Sequence, residues 1–171
     1  MDELILERPG QRRAILEPGD TYQQFGALPW RRNKKGDIRV LLVTSRERGR
    51  WLCPKGWIIE GRSAAESAAQ EAFEEAGVFG DVGLQAFGSY SYDKILRDQT
   101  AVDCRVTMFG LRVRGTLLQW RERGERKRRW CGLSEASDLV SDIGLGDLLR
   151  EILLDDRILV EPTGNPAVNA W

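Results

Sequence analysis

Three glutamates, Glu71, Glu74 and Glu75, stand at positions i, i+3 and i+4 of a segment whose composition favours a helix. At roughly 100° per residue, this spacing places the three carboxylates within about 100° of one another on one helix face. Like charges so close together repel, which destabilises the helix when nothing else binds there. A divalent cation that prefers oxygen ligands relieves the repulsion, and Mg²⁺ is the first candidate. The spacing therefore predicts a helix that carries a metal site.

The limits of this helix are also marked in the sequence. Ser63 followed by Glu66 is the pattern of a capping box, in which each side chain accepts a hydrogen bond from the backbone N–H of the other residue. Gly77 is placed to end the helix in a left-handed conformation. Between these limits, small side chains recur on a neighbouring face and should let the helix lie close against a sheet. They are Ala65, Ala68, Ala69, Ala72 and Ala76, with Phe73 at their edge.

Segment 56–78 as a whole matches a longer pattern. It resembles the Nudix box, G-x5-E-x7-R-E-U-x-E-E-x-G-U, in which U is a bulky aliphatic residue. Segment 51–56, Trp-Leu-Cys-Pro-Lys-Gly, is similar to the strand and loop that lead into the box in that family. The resemblance covers about residues 22–154 and is strongest at the box. The positions that match the box are Gly56, Glu71, Glu74, Glu75, Gly77 and Val78.

Two positions depart from the box. Arg62 stands where the pattern has its first Glu, and Gln70 stands where the pattern has Arg. In the family, the box Arg is thought to orient its neighbouring Glu through charge and hydrogen bonds. One interpretation is a coordinated swap, in which Gln70 supplies a neutral contact and Arg62 is freed for phosphate. The other is the loss of a supporting interaction, which gives a slower enzyme or a non-hydrolytic binder.

The resemblance implies a fold, an activity and a set of ligands. The fold is α/β, a Nudix-type α/β/α sandwich with a mixed central sheet. Nudix enzymes cleave a nucleoside diphosphate, or another diphosphate, linked to a further group. Carried onto this chain, the metal ligands are Glu71, Glu74, Glu75 and the backbone carbonyl of Gly56, and the metal is Mg²⁺ or Mn²⁺. Glu74 or Glu75 is the catalytic residue that takes or orients the proton of the attacking water.

Residues on either side of the box are candidates for binding phosphate. Segment 45–50 lies where the diphosphoinositol polyphosphate phosphohydrolase subgroup contacts phosphates, and segment 124–130 resembles the basic run of that subgroup. Arginine forks match phosphate oxygens well, although such charges also occur on solvated loops. Tyr90, Tyr92 and Trp120 could stack on a base or belong to the core. The candidate substrate-binding residues are Ser45, Arg46, Arg50, Lys55, Arg62 and Arg128.

Composition limits the other classes of function. The 171 residues contain no His, so acid–base chemistry must rest on carboxylates or metal-bound water. The three Cys form no C-x-x-C pair, which fits a reducing compartment. Lys plus Arg and Asp plus Glu each number 26, so nucleic acid is not an expected partner. The longest aliphatic runs, such as 40–43, are too short to span a membrane. The first residues lack the pattern of a signal peptide, so we expect a cytoplasmic protein.

Hydrophobic patterning predicts one domain over residues 1–171, with a core at about 22–154, a short N-terminal extension and a C-terminal tail. The helix at 63–77 is joined by a second that Ser134 caps and a third at 145–154. Run 39–45 is continuously apolar, as in a strand buried on both faces. The predicted strands are 22–30, 39–45, 51–53, 82–92, 102–114 and 129–133.

These features predict a metal-dependent hydrolase that cleaves a phosphoanhydride bond by water attack. The favoured substrate is a dinucleoside polyphosphate or a diphosphoinositol polyphosphate, with ADP-ribose or another nucleotide sugar as a second possibility. A non-catalytic ligand-binding Nudix domain is the alternative from another class, and the two departures in the box favour it. An RNA 5′-end pyrophosphohydrolase is disfavoured by the zero net charge. No pattern in the sequence indicates an oligomeric state.

Overall fold

The computed structural model describes residues 21–96 and 98–160, in which the chain forms an eight-stranded mixed sheet. The strands are β1 (Tyr22–Arg32), β2 (Ile38–Thr44), β3 (Trp51–Leu52), β4 (Lys55–Gly56), β5 (Val78–Val82), β6 (Gly88–Ile95), β7 (Ala101–Thr116) and β8 (Arg128–Gly132). Strand β1 is central: it pairs with β7 in parallel and with β2 and β4 in antiparallel orientation. Strand β2 also pairs with β3 and β8, and β7 also pairs with β5 and β6.

Helices cover both faces of this sheet. Alternate residues of β2 enter different cores, as expected for a strand whose successive side chains point to opposite faces. The helices are α1 (Ala64–Glu71), which continues as a π-helical turn (Ala72–Ala76), α2 (Leu133–Leu139), α3 (Ile143–Leu154) and α4 (Arg157–Val160). One core contains residues of α2 and α3, and the other contains residues of α1, so the predicted α/β/α sandwich with a mixed sheet is confirmed.

The helix that carries the glutamates has the predicted ends. Ser63 and Glu66 form both hydrogen bonds of the capping box. Gly77 ends the π-helical turn in the left-handed region, with a φ of 62°. The alanine face is also as predicted, since Ala68 and Ala72 are fully buried against the sheet. The π-helical form of the last turn was not predicted, and such turns often occur at functional sites.

Two predictions from the pattern were wrong in detail. The strand predicted at 82–92 is divided between β5 and β6, and the chain between them is held by backbone hydrogen bonds from Gly83 and Phe87 to β7. Ser134 does not cap α2, because the helix begins at Leu133 and its N-cap residue is Gly132. Pairing of β8 with β2 extends to Gly132, so the helix must start immediately after the strand.

The predicted N-terminal extension and C-terminal tail lie outside the described residues, and the organisation as one domain stays a prediction. Within residues 21–96 and 98–160, no helix combines the length and the apolar character needed to cross a membrane.

Candidate active site

The helix formed by α1 and the π-helical turn buries two of its three glutamates. Glu71 is 1% exposed and Glu75 is 2% exposed, whereas the side chain of Glu74 is 19% exposed. The helix lies beside β4, so its acidic face meets the loop that precedes it. A carboxylate in such a place requires partners, because an uncompensated buried charge costs several kcal/mol.

Glu71 packs directly against the backbone of Gly56. A Cβ built on Gly56 would collide with both oxygens of the Glu71 carboxylate, so only glycine fits this arrangement. Gly56 is in turn held in the sheet by its pairing with Phe25. The fold therefore places Gly56, the first residue of the box, against Glu71, the first of the three glutamates.

Glu75 is held from two directions. Its carboxylate accepts a hydrogen bond of 3.3 Å from the backbone N–H of Lys55 and one of 3.1 Å from Arg126 Nη2. Glu74 accepts from Gln70 Nε2 at 3.2 Å and from Arg121 Nη1 at 2.9 Å. Both carboxylates therefore face arginines of segment 117–127, which connects β7 to β8.

Arg126 belongs to a buried network of charges. Its guanidinium lies 3.4 Å from Glu122, donates to the backbone carbonyl of Thr44 at 3.0 Å and is only 9% exposed. Glu122 is 5% exposed and pairs as well with Arg46, which also lies near Glu125. Breaking such a buried pair leaves a charge without compensation, so the network holds segment 117–127 firmly against the site.

The donor chemistry of the site fits a divalent cation. Carboxylate and backbone carbonyl oxygens are the ligands that Mg²⁺ takes, and Glu71 lies against the residue that carries the predicted carbonyl ligand. In the part of the chain that the structure describes, however, no three His, Cys, Asp or Glu side chains are arranged as a metal-holding group. Glu74 and Glu75 are directed to Arg121 and Arg126 instead. The assignment of the metal ligands stays a prediction.

A cleft of about 770 Å³ opens beside Gly56 and Glu75. Arg48 and Arg126 line it in addition to predicted residues, so its walls contain several arginines. Their cationic groups suit a phosphorylated ligand, because guanidinium forks bind phosphate oxygens in two places. The predicted substrate-binding residues that line the cleft are Ser45, Arg46, Arg50 and Lys55.

Arg62 lies in the bend that precedes α1 and is not among the residues that line the cleft. Its Nη1 donates to Gln70 Oε1 at 3.0 Å, and Gln70 Nε2 donates in turn to Glu74. The two residues that depart from the box therefore contact each other and are linked to one of its glutamates. The Arg62 guanidinium contacts Gln70 in this structure. The interpretation in which Arg62 is freed for phosphate stays a prediction.

Arg128 is also absent from the cleft walls. It donates to the carbonyls of Ala76 and Leu117, each at 2.8 Å, and its guanidinium stacks 3.9 Å from the ring centroid of Trp120. Burial lowers the pKa of Arg128. The indole of Trp120 donates to the carbonyl of Glu75, so both side chains brace the end of the π-helical turn. The basic run therefore divides, with Arg126 entering the cleft and Arg128 supporting the helix.

The cleft is also lined by residues that the sequence did not indicate as substrate contacts, among them Gln24, Trp57 and Lys94. The sequence could have indicated Gln24, because it is a polar residue at an inward-facing position of β1, between Tyr22 and Gly26. Tyr92, predicted as a stacking residue or a core residue, lines the cleft, whereas Tyr90 is buried in the core.

The NUDIX domain family matches residues 23–151 of the chain. Nudix hydrolase 21, chloroplastic, of Arabidopsis thaliana is 35% identical over 153 residues, which cover 87% of this chain and 75% of that protein. Nudix hydrolase 12, mitochondrial, of the same plant is 35% identical over 119 residues, which cover 68% of this chain. The latter match spans only 59% of the relative's own length.

Two further similarities concern the subgroup and the fold. Diphosphoinositol polyphosphate phosphohydrolase 3-beta of Bos taurus is 28% identical over 131 residues, covering 75% of this chain and 74% of that protein. The solved structure of a C. elegans Ap4A hydrolase binary complex superposes with a TM-score of 0.56 at 19% identity, covering 78% of this chain and 96% of that one. At that identity, the structural likeness bears on the fold alone.

Proposed function

The chain belongs to the Nudix hydrolase family, and from that premise we propose that it is a metal-dependent pyrophosphohydrolase. It cleaves a phosphoanhydride bond of a nucleoside diphosphate-linked or polyphosphorylated substrate. We favour a dinucleoside polyphosphate or a diphosphoinositol polyphosphate, with Mg²⁺ as the metal and Mn²⁺ as a substitute. The similarity to a diphosphoinositol polyphosphate phosphohydrolase supports this substrate class.

The observation that carries the proposal is the burial of Glu71 and Glu75 beside Gly56 at the wall of an arginine-lined cleft. Two acidic side chains buried on one helix are costly for stability, so a functional reason for their presence is needed. A ligand with a dense negative charge suits the arginines, and a cation suits the glutamates. A pyrophosphate bound with a metal supplies both.

The proposed site residues fall into two groups: those that position the substrate and those that accept a proton. Arg46, Arg50 and Lys55 hold the phosphates, and the Ser45 hydroxyl, which lies beside the backbone N–H of Arg50, donates a further hydrogen bond. A divalent cation bound at the glutamates would neutralise phosphate charge and lower the pKa of a bound water. Glu74 or Glu75 accepts the proton of the attacking water.

The test is product release on a panel of substrates at saturating Mg²⁺. The panel contains diadenosine polyphosphates, diphosphoinositol polyphosphates, ADP-ribose and a 5′-triphosphate RNA. We expect turnover of one of the first two classes and a loss of about 10²–10⁴-fold in Glu75→Gln, because the carboxylate that holds the metal or takes the proton is gone. Glu151→Gln, which removes an exposed carboxylate from α3, is the matched control and should keep full activity. Full turnover in both Glu74→Gln and Glu75→Gln would refute the site.

A non-catalytic ligand-binding domain is the second candidate. The observation that favours it is the pairing of Glu74 with Gln70 and Arg121, and of Glu75 with Arg126. If these pairs persist, the carboxylates are not available to a metal. Calorimetric binding of a panel ligand that is unaffected by Mg²⁺, together with no product from any substrate, would favour this candidate over the hydrolase.

The cellular location is part of the proposal. We propose a cytoplasmic protein that acts on a small phosphorylated substrate, although the two plant relatives are named for the chloroplast and the mitochondrion. Fractionation of cells that express the tagged full chain, probed beside markers for cytoplasm and organelles, tests the location. Recovery in an organelle would refute it.

A further inference from the structure

Gln24 is a buried polar residue in the wall of the cleft. It lies on β1, is 4% exposed and faces the same space as Glu75 and Tyr92. Its Oε1 accepts a hydrogen bond of 2.7 Å from the hydroxyl of Tyr92. Burial raises the pKa of the Tyr92 hydroxyl, so this group keeps its proton and can act as the donor.

This hydrogen bond fixes the direction of the amide. Because Oε1 of Gln24 is the acceptor for Tyr92, Nε2 is left with two N–H donors. Nε2 of Gln24 donates no hydrogen bond to any of the described residues. Among the described residues, the buried side-chain atoms that lack a partner do not include Gln24 Nε2, so this donor reaches the open cleft, where an acceptor of a ligand can take its hydrogen bond.

The position of Gln24 in the sheet brings this donor close to the proposed reaction site. Phe25 pairs with Gly56 across β1 and β4, so Gln24 is one residue from the strand position that holds Gly56. Trp57 follows Gly56 and also lines the cleft. A ligand that reaches the glutamates can therefore place its next group against Gln24 and Trp57.

The residues that line the cleft fall into two chemical groups. Segment 45–50 contributes Arg46, Arg48 and Arg50. Gln24 contacts Tyr92, and Trp57 belongs to the same lining. The ammonium groups of Lys55 and Lys94 lie 4.9 Å from the ring centroids of Tyr92 and Trp57. A phosphate is bound best by guanidinium groups, whereas a neutral amide donor suits a neutral acceptor and aromatic rings suit a planar one. A nucleobase has both a neutral hydrogen-bond acceptor and a planar ring.

We propose that Gln24 determines specificity by donating a hydrogen bond from Nε2 to an uncharged acceptor, a carbonyl oxygen or ring nitrogen, of a nucleobase in the substrate. The inference rests on the proposed function, because it assigns the part of the same cleft that lies beyond the phosphates. It favours a dinucleoside polyphosphate over a diphosphoinositol polyphosphate. The lysines over the rings make phosphate binding the competing explanation.

The test compares two ligands by calorimetry with the full chain. One is a diadenosine polyphosphate with methylene bridges, which cannot be hydrolysed, and the other is inositol hexakisphosphate, which has no base. Gln24→Met removes the donor without changing charge and nearly preserves shape. Gln23→Met is the matched control, because Gln23 is the exposed neighbour on the opposite face of β1. Tyr92→Phe keeps the amide but frees its orientation.

Gln24→Met should weaken binding of the diadenosine ligand about tenfold and leave inositol hexakisphosphate within about twofold of wild type. Tyr92→Phe should give a smaller loss on the diadenosine ligand only, and Gln23→Met should change neither affinity. A structural defect cannot produce this selectivity, since it would weaken both ligands.

Three results would overturn the inference. They are an equal loss for both ligands, an unchanged affinity for the diadenosine ligand, and no binding of that ligand to the wild type. None of these readings needs turnover. Absence of product from any natural substrate would therefore refute the hydrolase while leaving the comparison of affinities to decide the role of Gln24.

Discussion

The two faces of the sheet are packed by different kinds of side chain. The residues that α1 and its π-helical turn bury against the sheet are alanines such as Ala68 and Ala72, whereas α3 buries Leu145, Leu149 and Ile152. Alanine removes less apolar surface from water, so the α1 face gains less hydrophobic free energy per residue. In return the helix approaches the sheet closely. The comparison suggests that one face supplies stability and the other supplies chemistry.

The charges follow the same division. Helix α1 and its π-helical turn bury Glu71 and Glu75, whereas α2 and α3, which are both fully described, bury no acidic side chain. Buried carboxylates cost free energy, and the leucine-rich face offsets that cost. Substitutions on the α3 face should therefore change the free energy of unfolding, and substitutions beside the glutamates should change activity.

Leu149→Ala gives the largest expected effect. Leu149 is fully buried in the α3 core, so the substitution should lower the free energy of unfolding by about 2–5 kcal/mol, from lost burial and the cavity left behind. Urea unfolding measures the change, and activity per folded molecule at low temperature should be unchanged. Leu154→Ala, on the exposed end of the same helix, is the control and should have little effect. Activity that falls without a loss of stability would break the proposed division.

Gly56→Ala tests the opposite face. The added Cβ would displace the Glu71 carboxylate, which is the flexible end of a side chain, so the free energy of unfolding should fall less than in Leu149→Ala. Activity should fall about 10²-fold, because small displacements of positioning groups have effects of that size. In Gly124→Ala the added Cβ meets no atom within 4 Å, so this control should keep activity. If Gly56→Ala unfolds the protein yet the folded fraction remains fully active, Gly56 has a structural role only.

Sequence patterns predicted the helix that carries the glutamates and most of the strands, and the resemblance to the Nudix family implied the sandwich. The periodicity of apolar residues, the capping box at Ser63 and the closing Gly77 depend on local geometry, which the sequence expresses directly. The division of the strand predicted at 82–92 was missed because it depends on hydrogen bonds to β7, a strand distant in sequence.

The candidate site was predictable only where it is local. The spacing of Glu71, Glu74 and Glu75 indicated a shared face, but not that Glu75 meets Arg126 from a segment about fifty residues away. Likewise the basic run gave no sign that Arg126 and Arg128 have separate roles. Such contacts are decided by which strands are neighbours, and the spacing of residues along the chain does not contain that information.

Ser63→Ala gives the smallest effect and sharpens this contrast between the two helices. Loss of the capping box at the start of α1 should lower the free energy of unfolding by about 1 kcal/mol, because the N–H of Glu66 loses its acceptor. Ser134→Ala is its counterpart on the other face and was predicted from the sequence to be a cap. Ser134 lies inside α2, is exposed and caps nothing, so its replacement should change the free energy of unfolding by less than about 0.5 kcal/mol. Urea unfolding of the two variants side by side decides the matter, since equal losses would mean that Ser134 does act as a cap in solution.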